Sequence, residues 1–347
     1  MGLFHGREVE GGYIPGAISR GLIPETSGND FNRVGATNTK RPDPPFHGTV
    51  QHPWKWLMIY FLVRCYFGNF GALKSWTIHW LREYFGHRRI NPERDTGTAE
   101  EFTAQLKAEA MAHPEIEAVG IAPMRDEYYY DTFPTTDLPW VITLARRMDY
   151  DKLSLNLTER NFDQALKEVI GGYERTQKAA VDLANWIRSR GWQARGIGTL
   201  TFKPENMFLA IPPAIEAGIG QLGKHGSLIS DELGSAFRMS CVLTDLPLIP
   251  DGPRDIGSED FCANCQKCVN DCPPGAISND KVMINGAMRW YVDFDKCAPY
   301  MTETKGCAIC LSTCPYSRPG VAPKLTQKML KRRARDEGTQ RARTSPA

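Results

Sequence analysis

The sequence predicts an α+β protein in which a core of helices and strands precedes a small cysteine-rich module. Amphipathic helices alternate with short apolar strands through the middle of the chain, which is typical of a mixed core. Eight of the ten cysteines fall between Cys262 and Cys314. The 347 residues, 41% of them hydrophobic, are enough to bury one large core and a smaller unit.

The beginning of the chain divides into two stretches of different composition. Residues 1–53 are rich in Gly, Pro and Asn without periodicity, so we expect an extended arm over the surface. Residues 54–90 are aromatic and predicted to be helical, and Arg64, Lys74 and His79 interrupt their most apolar part. We therefore expect a buried or lid-forming helical pair and no stable membrane span, with a membrane-surface helix as the alternative.

The middle of the chain carries the periodic segments of the predicted core. One helix is expected over Ala99–His113, where Phe102, Leu106 and Ala110 are spaced by four. A stronger helix is expected over Tyr173–Arg190, with Gly191 as its C-cap. The predicted strands are Ala118–Pro123, Trp140–Ala145 and Gln193–Thr201.

We expect four segments along the chain. They are an arm with an aromatic helical part (1–98), an α/β core (99–254), a cysteine module (255–320) and a basic tail (321–347). The tail carries Lys324, Lys328, Lys331, Arg332, Arg333, Arg335, Arg341 and Arg343, and we expect it to be solvated and mobile, with partner docking as the minority alternative.

Two cysteine motifs predict two iron–sulfur cubes. The first motif, Cys262 to Pro273, reads C-x2-C-x2-C-x3-C-P, in which three thiolates bind one cluster and the fourth binds the other. The second motif repeats this pattern with a longer first gap, from Cys297 to Cys307. The crossed rule assigns cluster one to Cys262, Cys265, Cys268 and Cys314, and cluster two to Cys272, Cys297, Cys307 and Cys310. Zinc fits the spacing poorly, because it prefers paired C-x2-C knuckles.

A glycine-rich stretch precedes the cysteine module. Its glycines would let a backbone approach a ligand closely, and they are Gly218, Gly220, Gly223 and Gly226. Three of them have the G-x-G-x-x-G spacing, but Lys224 and His225 follow instead of a long helix, so a dinucleotide site is weakly supported.

Four segments of the sequence resemble the C-terminal half of reductive dehalogenases. They are AGIGQLGKHGSLIS, VLTDLPL, DIGSEDFCANCQKCVNDCPPGAIS and WYVDFDKCAPYMTETKGCAICLSTCPYS. A weaker resemblance covers residues 117–192, so that together the match spans about 100–320. The chain is also similar, more distantly, to epoxyqueuosine reductase.

The resemblance implies a cofactor set and a reaction. It implies a nitroreductase-like α/β core over residues 99–254 that binds cobalamin, followed by a ferredoxin-like module with two [4Fe–4S] clusters. An external donor such as a ferredoxin, flavodoxin or reductase would supply electrons, which the clusters would relay to Co(I). The implied activity is reductive dehalogenation of a small organohalide. The alternatives are a non-catalytic electron-transfer subunit and an epoxyqueuosine reductase-like enzyme, which would need a carboxylate such as Glu205 near the corrin.

The resemblance also suggests which residues form the site. Tyr173, taken as the start of the long helix, matches the family's proton-donating tyrosine, and Arg238 falls where the family carries an arginine. Lys203 and Asn206 lie where relatives place a lysine, asparagine or aspartate. Lys224 and His225 are candidates for contacts with the corrin edge or its phosphate.

Several further residues and properties complete the expectations. The run Tyr128 to Tyr130 could line a substrate pocket or form a half-buried strand, and Cys65 and Cys241 are expected to be small buried hydrophobes. The net charge of +2 gives no reason to expect nucleic acid. Clustered Cys-x-x-Cys spacing and an N-terminus without an apolar signal core indicate a cytoplasmic protein.

Overall fold

The computed structural model describes residues 2–43, 52–67, 69–198, 201 and 203–344, with side chains described up to residue 337. Its strands are β1 (Arg7–Val9), β2 (Gly12–Ile14), β3 (Ala118–Pro123), β4 (Trp140–Arg147), β5 (Ala194–Ile197), β6 (Gln221–Leu222), β7 (Leu228–Ile229), β8 (Phe237–Thr244), β9 (Val282–Ile284) and β10 (Ala287–Arg289). Its helices are α1 (Ala17–Leu22), α2 (Gly28–Phe31), α3 (Lys55–Tyr66), α4 (Phe70–Phe85), α5 (Ala99–Ala112), α6 (Tyr150–Leu153), α7 (Leu155–Thr158), α8 (Phe162–Ser189), α9 (Ile211–Glu216), α10 (Ser258–Asn264), α11 (Lys267–Asn270), α12 (Phe294–Glu303), α13 (Ile309–Thr313) and α14 (Ala322–Thr344).

A four-stranded antiparallel sheet in the order β3-β4-β8-β5 forms the centre of the core. Ile142 and Leu144 of β4 pack on the side that holds α5 and α8, whereas Val141 and Ala145 pack on the opposite side. Because successive side chains of a strand point to opposite faces, both faces of β4 are buried. This explains why the strand reads as a continuous apolar run, and it confirms a mixed helix-and-sheet fold.

The long helix α8 begins at Phe162, so the predicted start at Tyr173 is wrong. Asn161 caps the true start, because its side chain accepts a hydrogen bond from the Gln164 N–H. Two glycines just before Tyr173 lower the helix propensity of that turn. Gly172 is nevertheless required there, since a Cβ would lie 2.9 Å from the Arg238 Cγ.

The other core elements follow the prediction closely. Helix α5 begins with a capping box in which the Thr98 hydroxyl accepts from the Glu101 N–H and the Glu101 carboxylate accepts from the Thr98 N–H. Strand β3 has the predicted bounds. The strand predicted over Gln193–Thr201 is shorter, since β5 ends at Ile197 and residues 199–200 lie outside the described residues.

The N-terminal arm has more secondary structure than its composition suggested. It forms the β1–β2 hairpin and the short helices α1 and α2. The aromatic segment after it forms α3 and α4, as expected. Within the described residues no single helix is long and apolar enough to cross a membrane, although α3 and α4 pass that test together while bent by 110°.

Two acidic residues of α12 hold the arm against the cysteine module. The buried Glu303 carboxylate accepts hydrogen bonds from the Gly6 N–H at 2.5 Å, the Gly16 N–H at 2.8 Å and the Tyr13 hydroxyl. The Asp295 carboxylate accepts from the Ser27 hydroxyl and the Gly28 N–H at 2.6 and 2.7 Å. The first residues of the chain are therefore part of the surface that covers the cysteine module.

The basic tail forms the helix α14, and its basic side chains are largely exposed, as expected for a solvated segment. Arg333 forms ion pairs with Asp255 and, at 2.5 Å, with Asp260. These contacts hold the middle of α14 against α10 and the residues before it, and they neutralise part of the charge of α14. The side chains of Arg341 and Arg343 lie outside the described residues, as do residues 345–347.

We predict that Glu303→Ala loosens the arm without unfolding the core. Three hydrogen bonds to a buried carboxylate are lost, and hydrogen bonds to charged groups contribute about 1.5–3 kcal/mol each. Tryptic cleavage of the folded protein at Arg7 and Arg20 should become about 10-fold faster or more. Glu10→Ala, which removes an exposed glutamate from the same hairpin, is the control, and equal cleavage of both variants would contradict the role given to Glu303.

Candidate active site

The eight clustered cysteines fall into two groups when they are sorted by which neighbouring thiols raise the pKa of each one. Burial raises the pKa of Cys314, and repulsion from Cys262, Cys268 and Cys265 raises it further. Burial raises the pKa of Cys310 to about 12, with added repulsion from Cys297 and Cys272. The pKa of Cys307 is raised by burial and then by the Cys310, Cys297 and Cys272 thiols. For Cys314, Cys310 and Cys307 these influences run within the sets of the crossed rule, and the ligand assignment itself stays a prediction.

The local structure explains how each motif reaches across to the other. Helices α10 and α11 present the first three cysteines of the first motif, and Cys272 follows the end of α11. Helix α13 packs against α11 and carries Cys310, with Cys314 at its C-cap. Burial, with added repulsion from Cys310, raises the pKa of Cys268 to about 12, which places the two groups side by side.

The arrangement of the cysteines differs from that of a site for one metal ion. Among the described residues, no three His, Cys, Asp or Glu side chains are close enough together to hold a single ion. A tetrahedral zinc site with Zn–S bonds of 2.3 Å would bring its sulfur atoms to about 3.8 Å from one another. A cube with four irons holds its outer ligands further apart, so the thiol donors fit iron–sulfur clusters better than zinc.

The long gap in the second motif forms α12 and a turn with unusual backbone angles. Four successive residues have positive φ, namely Lys305, Gly306, Cys307 and Ala308, with values of 55°, 113°, 45° and 61°. Three of these are not glycine, so the turn holds strain of the kind found at ligand sites. Asn156 holds the turn, because its amide donates to the Cys307 carbonyl at 2.6 Å.

A cavity of about 390 Å³ lies directly beside this turn. Its walls come from α3, α8 and the Cys307 turn, and include Leu62, Tyr66, Ile170, Tyr173 and Cys307. Cys65 also lines it, although the pKa of this buried thiol is raised to about 12 by burial and it packs in an apolar cluster. Cluster two would therefore lie next to a partly open, mainly apolar cavity.

A second cavity of about 240 Å³ adjoins the first. The residues that line both are Tyr130, Tyr173, Thr201 and Arg238. The second cavity extends between α9 and β8, along Phe208 and Met239. No carboxylate lines either cavity among the described residues, whereas Arg238 and Lys305 contribute positive charge.

The structure brings Tyr173 and Arg238 together where the two cavities meet. The Arg238 guanidinium lies over the Tyr173 ring, 5.0 Å from its centroid. Its Nη1 donates to the Phe237 carbonyl at 3.0 Å, while its buried Nε has no hydrogen-bond partner in the described part of the chain. A buried donor without a partner is costly, so this Nε is suited to a ligand.

Lys203 and Asn206 lie together, but around Glu83 rather than in either cavity wall. The Lys203 ammonium donates to the Glu83 carbonyl at 2.9 Å and lies over the Tyr84 ring. The Asn206 amide donates to the Glu83 carboxylate at 3.1 Å. Glu83 is fully buried and also accepts from the Thr201 hydroxyl, which does line both cavities.

Lys224 and His225 also lie away from the two cavities. Lys224 is buried against the first cysteine group, where its ammonium donates to the Cys265 carbonyl at 3.0 Å. Burial lowers the pKa of His225 to about 4, so its ring is neutral at pH 7. Its Nδ1 accepts from the Ser227 N–H and its Nε2 lies 2.9 Å from the Ser235 hydroxyl, which leaves both nitrogens satisfied inside the protein.

The four glycines of the glycine-rich stretch serve the fold rather than the cavity wall. Gly226 has φ +76° in the turn of the β6–β7 hairpin. A Cβ at Gly220 would lie 2.2 Å from the Ile229 carbonyl oxygen, and Gly218 and Gly223 are packed closely as well. None of the four lines either cavity, and a hairpin follows where a dinucleotide fingerprint needs a helix.

Parts of this chain are similar in sequence to known iron–sulfur proteins. Residues 261–318 match the 4Fe-4S dicluster domain. The tetrachloroethene reductive dehalogenase of Sulfurospirillum multivorans is 36% identical over 114 residues, which are 30% of this chain and 23% of that protein. An epoxyqueuosine reductase from Cyclobacterium marinum is 34% identical over 122 residues, 30% of this chain and 36% of its own length. Both kinds of relative are oxidoreductases.

Solved structures of reductive dehalogenases have the same fold. The catabolic enzyme NpRdhA superposes with a TM-score of 0.69 at 20% identity, over 89% of this chain and 46% of NpRdhA. Another reductive dehalogenase, whose structure suggested a mechanism for B12-dependent dehalogenation, superposes with a TM-score of 0.59 at 22% identity, over 74% of this chain and 37% of its own. The chain thus spans less than half the length of these relatives, and it is a reductive dehalogenase-like iron–sulfur protein.

Sequence reasoning missed several residues that the geometry brings to the site. Thr201 was only the end of a predicted strand, and Glu83 was one acid in an aromatic segment. Tyr130 lines both cavities, whereas Tyr128 and Tyr129 are buried, and Asp126–Tyr128 forms a 3-10 turn instead of a strand. The sequence held one signal for Glu83, because it is the only acidic residue between positions 52 and 92.

We predict that substitutions in the dicluster domain divide into two spectroscopic classes. Cys272→Ala and Cys297→Ala should remove cluster two, although they lie in different motifs, and should lower iron from about eight to about four per chain. Cys262→Ala and Cys314→Ala should remove cluster one. Iron analysis and electron paramagnetic resonance of the reduced protein distinguish the classes, with Cys241→Ala, in the sheet, as the unchanged control. Loss of the same cluster in Cys272→Ala and Cys262→Ala would refute the crossed assignment of ligands.

Proposed function

We propose that this protein is a cobalamin-dependent iron–sulfur oxidoreductase that removes halide reductively from a small organic molecule. The observation that carries the proposal is the position of Tyr173 and Arg238 at the junction of two cavities, one of which is lined by Cys307. A proton donor, an anion-binding cation and an electron-carrying cluster would then face one partly open space. In the finer fold assignment, residues 99–254 form a nitroreductase-like core around this space.

Three features of the described residues fit a corrinoid in the adjoining cavities. The walls are mostly apolar and aromatic, as expected for a large flat cofactor. The Arg238 Nε is buried without a partner. The Cys307 turn brings one end of the space against the dicluster domain. When bound, cobalamin would supply a strongly reducing cobalt centre at which the carbon–halogen bond is cleaved.

The chain's own residues define an electron path. The cluster on Cys272, Cys297, Cys307 and Cys310 would be the one nearer the cavity. The cluster on the other four cysteines would receive electrons from an external donor such as a ferredoxin or flavodoxin. Lys224 is buried beside that outer cluster, where its charge would stabilise the reduced form and bias electron entry.

The protein side of the reaction is a proton transfer and the binding of an anion. Replacing halogen by hydrogen consumes two electrons and one proton and releases one halide ion. The Tyr173 phenol would donate the proton to the developing carbanion, and Arg238 would orient the phenol and attract the halide. The lack of a carboxylate in the described cavity walls favours this reaction over the epoxyqueuosine reductase alternative, whose candidate Glu205 does not line either cavity.

We predict that Tyr173→Phe lowers dehalogenation about 100-fold or more, because the phenyl ring keeps the packing and loses the acidic proton. The assay is bromide release from a bromophenol, with reduced methyl viologen as the donor, by protein made anaerobically with cobalamin. Tyr130→Phe, which removes the other phenol shared by the two cavities, should lower the rate much less.

Corrinoid content must be equal in both variants for the comparison to hold. Unchanged turnover in Tyr173→Phe would remove this residue as the proton donor. A wild-type protein with full clusters and corrinoid but no turnover of any halide substrate would favour the electron-transfer subunit instead.

A further inference from the structure

Helix α3 is apolar on both of its faces. Its inner face is buried through Leu57, Met58 and Cys65. Its outer face carries an exposed stripe, spaced by three and four residues, with exposures of 59, 36, 44 and 72% at Trp56, Ile59, Val63 and Phe67. A surface helix normally pairs one apolar face with a polar one, so the outer stripe of α3 needs a second apolar environment.

The exposed surface continues across the bend into α4. Phe67 and Phe70, on either side of the bend, are 72 and 84% exposed. Phe85, at the far end of α4, is 75% exposed and packs with Trp80, whose ring also stacks on Tyr84. We call this outer surface of α3 and α4 the aromatic face. Because the two helices are bent by 110°, the two phenylalanines at the bend form its tip.

The exposed charges of the segment that carries the aromatic face have one sign. Between residues 52 and 92 the cations are Lys55, Arg64, Lys74, Arg82, Arg88 and Arg89, whereas the one acid is Glu83. Glu83 is fully buried, so it contributes no exposed negative charge to the segment. The whole chain has 42 basic and 40 acidic residues. This segment is therefore more basic than the chain as a whole, and it is also the segment with the exposed aromatic residues.

The combination of exposed aromatic rings and basic residues favours an anionic bilayer over a second copy of the chain as the partner of the aromatic face. In a two-fold symmetric dimer a surface meets itself, so the same cations would be brought together without acids to balance them. A bilayer with anionic headgroups offers the opposite charge and an apolar layer for the aromatic rings. Aromatic rings and basic residues together are the composition of helices that lie in a membrane interface.

We propose that the aromatic face binds the surface of a bilayer that contains anionic phospholipid, with Phe67 and Phe70 entering first. The inner face of the same helix lines the larger cavity through Phe61, Leu62 and Tyr66. The bound membrane would therefore lie against the outer wall of that cavity.

The test is flotation of the full chain, with its clusters intact and under anaerobic conditions, with vesicles of phosphatidylcholine and phosphatidylglycerol. Phe67→Glu/Phe70→Glu should lower the bound fraction at least 10-fold, since it removes both tip rings and adds like charge to anionic lipid. Val34→Glu/Met288→Glu makes the same charge change at exposed apolar residues outside the face and should bind like the wild type. Pure phosphatidylcholine or 0.5 M salt should weaken wild-type binding severalfold.

Two outcomes would overturn the proposal. One is equal flotation of the wild type and the Phe67→Glu/Phe70→Glu variant. The other is absence of vesicle binding by the wild type together with a change from dimer to monomer in that variant, measured by light scattering, which would assign the face to a second copy. Since neither readout involves turnover, the result does not depend on the proposed reductase activity.

Discussion

Each of the two cysteine motifs places one cysteine beside the thiols of the other motif, and this exchange constrains the packing of much of the chain. Cys314 lies with the first three cysteines of the first motif, and Cys272 lies with those of the second. Under the proposed crossed ligation neither motif would complete a cluster alone, and α11 and α13 do pack together. The residues between Cys297 and Cys307 are thereby held in place, and α12 becomes the surface to which the N-terminal arm is bound. In this respect the cysteine module and the arm form one structural unit.

The position of the second cysteine motif also shapes the candidate active site, because the backbone around Cys307 borders the larger cavity. The strained turn that carries this cysteine forms part of the cavity wall, so a proposed ligand of cluster two lies beside the proposed reaction site. Opposite it, Tyr173 extends from the middle of a long helix and Arg238 from the central sheet. Side chains on rigid elements are positioned more precisely than side chains on loops. Gly172 permits the close approach of Arg238, which ties the helix and the sheet to one arrangement.

The elements that sequence predicted correctly are those with a local cause. The apolar run from Trp140 and the four-residue spacing of Phe102, Leu106 and Ala110 depend on neighbours in sequence. The predicted start of α8 was wrong because glycine lowers helix propensity, which favoured a start after Gly172. Gly172 lies inside the helix because its missing side chain makes room for Arg238, a residue distant in sequence. Lys224 and Asn206 were assigned to the ligand site by resemblance, yet their partners, the Cys265 carbonyl and the Glu83 carboxylate, are fixed only by tertiary packing. Spacing in the sequence carries no information about such partners.

In the proposed mechanism two iron–sulfur clusters deliver electrons to a corrinoid in the adjoining cavities. The most direct measurement is the metal, sulfide and corrinoid content of wild-type protein produced and purified anaerobically with cobalamin. The account predicts about eight irons, about eight acid-labile sulfides and about one corrinoid per chain. Iron and sulfide without corrinoid would contradict the assignment of the cavities, and about two zinc ions with almost no iron would contradict the account as a whole.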